Sequence, residues 1–334
     1  MKSTSATVRF LICALILFCT HNVFSQKKET TLDSVKDTAV LLRKIKKVME
    51  QDNIPGLMIS IVKGDSILYA GGLGYADIEK KIPVGSGTLF HQNSVTKMFT
   101  AMGILKLVKE GKLKLNDELK VIAPEIKFQN EWEDTHPVRV VHLLEHTAGF
   151  DDVHLNNMVS VQPTKYQGLE AAMFFKNSFV SRWQPGERMS YSNPGYAILG
   201  YLIEKFSAKP LQNYLTDSVL YPIGMRQANF DLKIQNPANY AIGYHFSAGS
   251  PVPYPFYSPG GNGAGGALHA NALDMAKFIK FFVNDWRTAS GQWLPQSYLL
   301  EMEKVHSTLA AANGLRLGYA LANEKFPNNS KITF

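Results

Sequence analysis

Residues 90–111 read FHQNSVTKMFTAMGILKLVKEG. Val95, Met98, Phe99, Met102 and Leu105 recur at three- and four-residue steps, a pattern that predicts a buried amphipathic helix, and Gly111 is a fitting stop. Ser94 falls at or near the first turn. Lys97 follows three positions on, where helical geometry brings side chains onto one face with Cβ atoms about 5–6 Å apart. A serine hydroxyl is a poor nucleophile until a neighbour takes its proton. A lysine buried near a helix start, where the dipole disfavours further positive charge, can have its pKa lowered enough to do so. The spacing alone does not define a site, because Ser25 and Lys28 repeat it.

Upstream, residues 1–25 carry Lys2 and Arg9, an apolar run from Phe10 to Phe18, and Ser25 after Val23-Phe24. This is the plan of a secretory signal, too short to span a bilayer, which needs about 20 apolar residues. The expectation is export, to a periplasmic or secreted location, with no stable membrane span after cleavage. Cys13 and Cys19, the two cysteines of the chain, both lie in this segment. A mature chain from residue 26 therefore has no disulfide, thiol nucleophile or thiolate ligand, and its hydrophobic core must hold it together. With 334 residues it is long enough for that. The net charge of +7 is dispersed, without the dense basic run of a nucleic-acid arm.

Between the signal and Ser94, Leu41, Ile45, Val48 and Met49 predict a helix over 37–51, ended by Pro55-Gly56. Leu57–Val62 and Ile67–Ala70 read as strands joined by Lys63-Gly64-Asp65, a hairpin signal. Residues from about 116 to 285 show mostly helical periodicity. From Glu301 onward the sequence is strand-like, with Leu317–Asn323, a turn at Pro327-Asn328-Asn329, and Lys331–Phe334.

Two motif matches invite other chemistry. His142-Leu-Leu-Glu145-His146 spells H-x-x-E-H, which on a helix could offer two histidines to zinc, but Thr147-Ala148-Gly149 ends the helix directly afterwards and no third ligand suggests itself. Gly261-Asn-Gly263-Ala-Gly265-Gly266 contains G-x-G-x-x-G, yet prolines 251, 253, 255 and 259 occupy the place where a dinucleotide site needs a strand. A glycine-rich loop leading into a helix near Asn271 accounts for it better. In 183–206, WQPGERMSYSNPGYAILGYLIEKF, Asn193-Pro194 reads as an N-cap followed by proline at the first helical position. Ile198, Leu199, Leu202 and Phe206 form its buried stripe, and Tyr191 sits on a tight turn before it.

In this order, Phe90-x-x-x-Ser94-Val-Thr-Lys97, EGKLKLND at 110–117, HLLEHTAGF at 142–150, PGERMSYSNPGYAILGYLIE at 185–204, Tyr221-Pro-Ile-Gly-Met225 and the glycines before LDMAKF resemble the serine β-lactamase-related family. The resemblance is to its class C-like branch of β-lactamases, D-Ala-D-Ala carboxypeptidases, D-aminopeptidases and esterases. It implies Ser94 as acylated nucleophile, Lys97 as its proton partner, Tyr191 as general base or acid, and Asn193 as a hydrogen-bonding group for the bound acyl chain. The Ser94 N–H would supply half of an oxyanion hole. A phenol, with an ordinary pKa of about 10, needs nearby positive charge such as Lys97 to act near neutrality. Which of Lys97 and Tyr191 takes the serine proton stays open.

The family's third motif, K-T-G or H-x-G, has no match after Asn193, and the printed chain is expected to be truncated before it. The fold expected is α/β and β-lactamase/DD-peptidase-like: an antiparallel sheet flanked by helices, from about 37–115 and 300–334, with a mostly helical region at about 116–299. The C-terminal sheet strands would be missing from this 26–334 hydrolase domain. The expected activity is hydrolysis, through a Ser94 acyl-enzyme, of a β-lactam, D-amino-acid peptide or ester, with peptidoglycan-derived substrates in that range. No cofactor or metal and no nucleic-acid partner is expected. Two alternatives stand beside it: a zinc peptidase using His142, Glu145 and His146, and a non-catalytic cell-wall-binding protein on the same scaffold.

Overall fold

The computed structural model describes residues 38–154, 167–231, 237–315 and 318–325. The expected signal segment with its cysteines and Ser25/Lys28 pair, the turn at 327–329 and the stretch 331–334 lie outside them. Among the described residues, Thr38–Val48 fall in one unit of the chain and those from Met49 onward in another. Helix α1 (Thr38–Gln51) runs across that division, close to its expected span, and Met49 is its buried residue.

Strands β1 (Gly56–Lys63) and β2 (Ser66–Asp77) form an antiparallel hairpin, with Lys63 opposite Ser66 and Gly64 at φ 53° in the turn. This is the expected hairpin, with β2 extended beyond Ala70 to pair with β3 (Ile82–Pro83). A short strand β4 (Phe90–His91) then leads through a 3-10 turn, Asn93–Val95, into helix α2 (Thr96–Lys109). Gly111, at φ 70°, follows the helix end.

Helix α2 differs from its sequence reading in one respect. Its apolar stripe predicts one buried face, yet residues 99–105 are all buried, and so are Thr96, Lys97 and Leu107. Val95, assigned to the stripe, is 38% exposed. The helix is central because small residues let neighbours approach closely: a Cβ on Gly103 would lie 2.8 Å from Leu215 Cδ2. Phe99, Met102, Ile104 and Leu105 each contribute about 1.5–3 kcal/mol by leaving water. Lysine is the unusual member of such a core.

Helix α3 (Val140–Leu144) precedes helix α4 (Asn193–Ser207), and Tyr196 Oη on α4 donates to the Leu144 carbonyl at 2.9 Å. The glycine-rich stretch, expected as a loop, includes one helical turn at Gly263–Gly266. It packs against α2, where Thr100 Oγ1 donates to Ala264 O at 2.7 Å. Next come β5 (His269–Ala270), antiparallel to β4, and helix α5 (Ala272–Val283). Asn271 caps α5 by accepting from the Asp274 N–H. This helix flanks the sheet, and Ser60 Oγ of β1 donates to its Ala272 carbonyl. The sequence from 296 remains helical before it returns to strand: α6 (Gln296–Glu303) and Leu309–Ala312 precede a small antiparallel pair, Gly318–Tyr319 with Glu324–Lys325.

Candidate active site

Ser94 lies where β4 turns into α2, and the chain must bend sharply there. Asn93 takes a left-handed φ of 46°, a conformation that costs a non-glycine residue energy and persists only where the surroundings hold it. The surroundings do so: Gln92 N–H donates to Leu268 O, and Thr96 Oγ1 donates to Asn93 O while accepting from Leu268 N–H.

Lys97 projects from the first turn of α2 with 0% exposure. Its Nζ lies 3.2 Å from Ser94 Oγ, 2.8 Å from Asn193 Oδ1 and 2.9 Å from the Gly265 carbonyl. It also sits 4.9 Å from the Tyr191 ring centroid and 5.2 Å from that of Tyr196. Burial strips water from the ammonium and lowers its pKa to about 7, partly opposed by the negative charge of Asp152. Near neutral pH both the amine and the ammonium forms are therefore accessible.

Tyr191 behaves differently from its sequence expectation. Burial raises its phenol pKa, a hydrogen bond with Ser94 opposes the rise, and the Asp152 charge adds to it. The lysine has moved toward neutrality and the tyrosine away from it. Tyr191 is held from behind by His146, whose ring stacks on it at 4.2 Å between centroids. His146 Nδ1 accepts from the Ser192 N–H, and burial together with Lys97 holds this histidine at a pKa of about 3.

Asn193 is the first residue of α4, and Ser192, rather than Asn193, occupies the cap position. Its side chain is drawn into tertiary contacts instead: Oδ1 accepts from Lys97 Nζ and from Asn262 Nδ2 at 3.1 Å, while Nδ2 donates to Asp152 Oδ1 at 3.0 Å. The structure thus brings Ser94, Lys97, Tyr191 and Asn193 together. Asp152, Asn262 and Gly265 share the network and escaped the sequence reading. Asp152 carried one signal, as part of an acidic pair directly after HTAGF.

The three residues of H-x-x-E-H diverge. Helix α3 ends at Leu144, and His146 has a left-handed φ of 57°. His142 Nδ1 accepts from Arg139 N–H. The Glu145 carboxylate is occupied by the His306 and Ser307 backbone N–H groups and by the His306 Nδ1 and Ser307 Oγ atoms. Among the described residues no cluster of three metal-ligating side chains occurs.

A buried lysine bridging a serine at a helix start to an asparagine on the next central helix, with a tyrosine alongside, is the arrangement of a serine-hydrolase fold. The Beta-lactamase family model matches residues 41–328, and the chain belongs to that family. It is 27% identical over 294 residues to Protein flp of Staphylococcus aureus, covering 86% of this chain and 56% of that protein. It is 26% identical over 252 residues to a Beta-lactamase of Yersinia enterocolitica, covering 75% and 61%. The chain thus spans little more than half the length of these curated relatives. Among solved structures it resembles the octameric penicillin-binding protein homologue from Pyrococcus abyssi, with TM-score 0.72, 30% identity, and 89% and 67% of the two chains covered. EstCE1, a hydrolase with promiscuous acyltransferase activity, shares the fold at TM-score 0.69 and 21% identity, covering 85% and 82%.

Proposed function

We propose that this protein is a serine hydrolase that forms an acyl-enzyme on Ser94 with a β-lactam, a D-amino-acid peptide or an ester. The observation that carries the reading is the 3.2 Å approach of a fully buried Lys97 Nζ to Ser94 Oγ, with the lysine pKa brought to about 7. A base near the working pH combines an adequate neutral fraction with adequate proton affinity.

Ser94 Oγ attacks the substrate carbonyl carbon as its proton passes to Lys97 Nζ, forming a tetrahedral oxyanion. Collapse breaks the bond to the leaving nitrogen or oxygen, which takes up the proton of the Tyr191 phenol, and the Lys97 ammonium 4.9 Å from that ring stabilises the phenolate left behind. Asn193 hydrogen-bonds the acyl chain. Water then attacks the acyl carbonyl and gives a proton to the Tyr191 phenolate, while Lys97 returns its proton to Ser94 Oγ, which releases the acid and restores the site. The Yersinia, Pyrococcus and EstCE1 similarities support this range of acyl substrates. The pattern of residues 1–25 supports export ahead of a hydrolase domain from residue 26, in the periplasm or outside the cell. No helix among the described residues is long and apolar enough to cross a membrane.

The test is covalent labelling of the full chain. A fluorophosphonate or penicillin should add its mass to the peptide holding residues 93–97, and Ser94→Ala should abolish the adduct. An adduct on another serine such as Ser192, or full turnover by Ser94→Ala, overturns the assignment.

A further inference from the structure

Besides accepting the neighbouring Val153 N–H at 2.8 Å, Asp152 uses a single oxygen for two bonds to Asn193. Its Oδ1 accepts the Asn193 backbone N–H at 2.9 Å and the Asn193 Nδ2 at 3.0 Å. The first bond ties the carboxylate to the start of α4, and the second decides which way the Asn193 amide points. With Nδ2 committed to a carboxylate, which can only accept, Oδ1 must face Lys97.

The consequence follows from counting protons on Nζ. A neutral lysine amine has two N–H groups and one lone pair. The Gly265 carbonyl and Asn193 Oδ1 are both acceptors, so they take the two N–H groups. The lone pair is left for the remaining neighbour, Ser94 Oγ, whose proton it can receive. If the Asn193 amide were reversed, Nδ2 would meet Nζ donor to donor. The neutral amine would then spend its lone pair on Asn193 and present an N–H to the serine, the wrong group for a base.

We propose that Asp152 is a positioning residue that, through the Asn193 amide, directs the lone pair of Lys97 at Ser94. This rests on the reading of Lys97 as base, and adds to it the device that aims the base. The charged and titratable groups facing this cluster are Lys97, Asp152, Tyr191, Tyr196 and His146, with Tyr319 packed on His146 and Tyr191. Asp151, the preceding residue, pairs with Arg182 at 3.1 Å and accepts the Asp152 N–H at 3.0 Å; an asparagine there keeps an acceptor for that N–H, so Asp151→Asn makes a control for loss of a nearby charge.

The experiment compares Asp152→Asn and Asp151→Asn with the parent in the full chain. The rate of fluorophosphonate labelling is followed against pH, and Lys97 is titrated by NMR of ¹³Cε-lysine, its signal assigned by loss in Lys97→Arg. Asp152→Asn removes the charge and puts an amide, which can donate as well as accept, where the carboxylate could only accept. It should lower the plateau labelling rate at least about tenfold and move the acid limb and the Lys97 titration to lower pH by about one unit. Asp151→Asn should do neither. A plateau unchanged in Asp152→Asn overturns the proposal, as does a lowered plateau with the Lys97 titration unmoved, which would mark a purely structural part. If the parent protein is not labelled at all, the acyl-enzyme reading fails. The NMR arm then still decides this proposal: Asp152→Asn must shift the Lys97 titration and remove the protection of the Asn193 side-chain NH₂ from exchange.

Discussion

Lys97 Nζ donates to the carbonyl of Gly265 at 2.9 Å, a contact between residues 168 positions apart in the chain. The same atom holds Asn193 and Ser94. One buried amine therefore joins the start of α2, the start of α4 and the glycine-rich turn. Burying an ammonium is costly unless its donors are satisfied. Here three acceptors match its three donors, while burial lowers the lysine pKa to about 7 against the opposing charge of Asp152.

That titration yields the first prediction. If Lys97 receives the Ser94 proton, labelling of Ser94 should rise with pH and level off around a midpoint of about 7. Lys97→Ala and Tyr191→Phe should each slow labelling by about 10² or more, the usual contribution of a general acid–base group. The double variant should be little slower than the worse single one, because groups on one proton path act as a unit. Losses that multiply, in variants whose circular dichroism matches the parent, would place the two residues on separate steps.

Gly265 supplies a second test, separable from charge. A Cβ built there falls 2.1 Å from Asn262 Oδ1 and 2.8 Å from its Cγ, so Gly265→Ala must push Asn262 aside. Asn262 Nδ2 is the other donor to Asn193 Oδ1, and its displacement should loosen the amide that faces Lys97. Alanine is also the better helix former by about 0.5–1 kcal/mol, which offsets part of the strain. The expected outcome is labelling slowed by about 10-fold or more, with little change in Tm. Parent-like labelling kinetics would show that Asn262 moves without consequence.

The contrast between Lys97 and Asn193 marks what the sequence could show. Helical spacing alone places Lys97 beside Ser94, because the 3-10 turn that holds Ser94 runs directly into the first turn of α2. Asn193 invited the wrong local reading: Asn-Pro before an apolar stripe fits a cap, but the cap falls to Ser192, since Lys97 and Asp152 offer the asparagine charge-assisted bonds. Tertiary partners outbid local geometry. The β1–β2 hairpin was legible for the same reason as Ser94 and Lys97, its turn and alternation being local. Gly265, Asn262 and Asp152 reach the site across long sequence separations, where periodicity carries no information. The unbroken burial of residues 99–105 of α2 was hidden too, because small residues such as Gly103 and Ala101 read as neutral until a neighbour is seen against them.

His306 provides the last prediction, and it concerns stability. Its Nδ1 lies 2.8 Å from Glu145 Oε1 and its Nε2 2.6 Å from Glu301 Oε2, so the ring clamps two carboxylates and needs both N–H groups to do so. Burial alone would lower its pKa, but hydrogen bonds to Glu145 and Glu301, with their charges, carry it above the ordinary value. A histidine whose folded pKa is raised contributes stability that is fully present below its unfolded pKa, about 6.5, and is lost as pH rises through the folded value. Lys97, whose pKa is depressed, acts in the opposite sense above pH 7, so only a difference isolates the clamp. His306→Gln should lower Tm relative to the parent by about 1–2 °C at pH 6, the shift expected for about 1 kcal/mol in a chain of this size once solvent screening is allowed for. The gap should close toward pH 9. Because Glu145 precedes His146, which backs Tyr191, labelling of Ser94 at pH 6 should also slow in this variant. A Tm difference that stays constant from pH 6 to pH 9 would mean that His306 acts through packing and not through its proton.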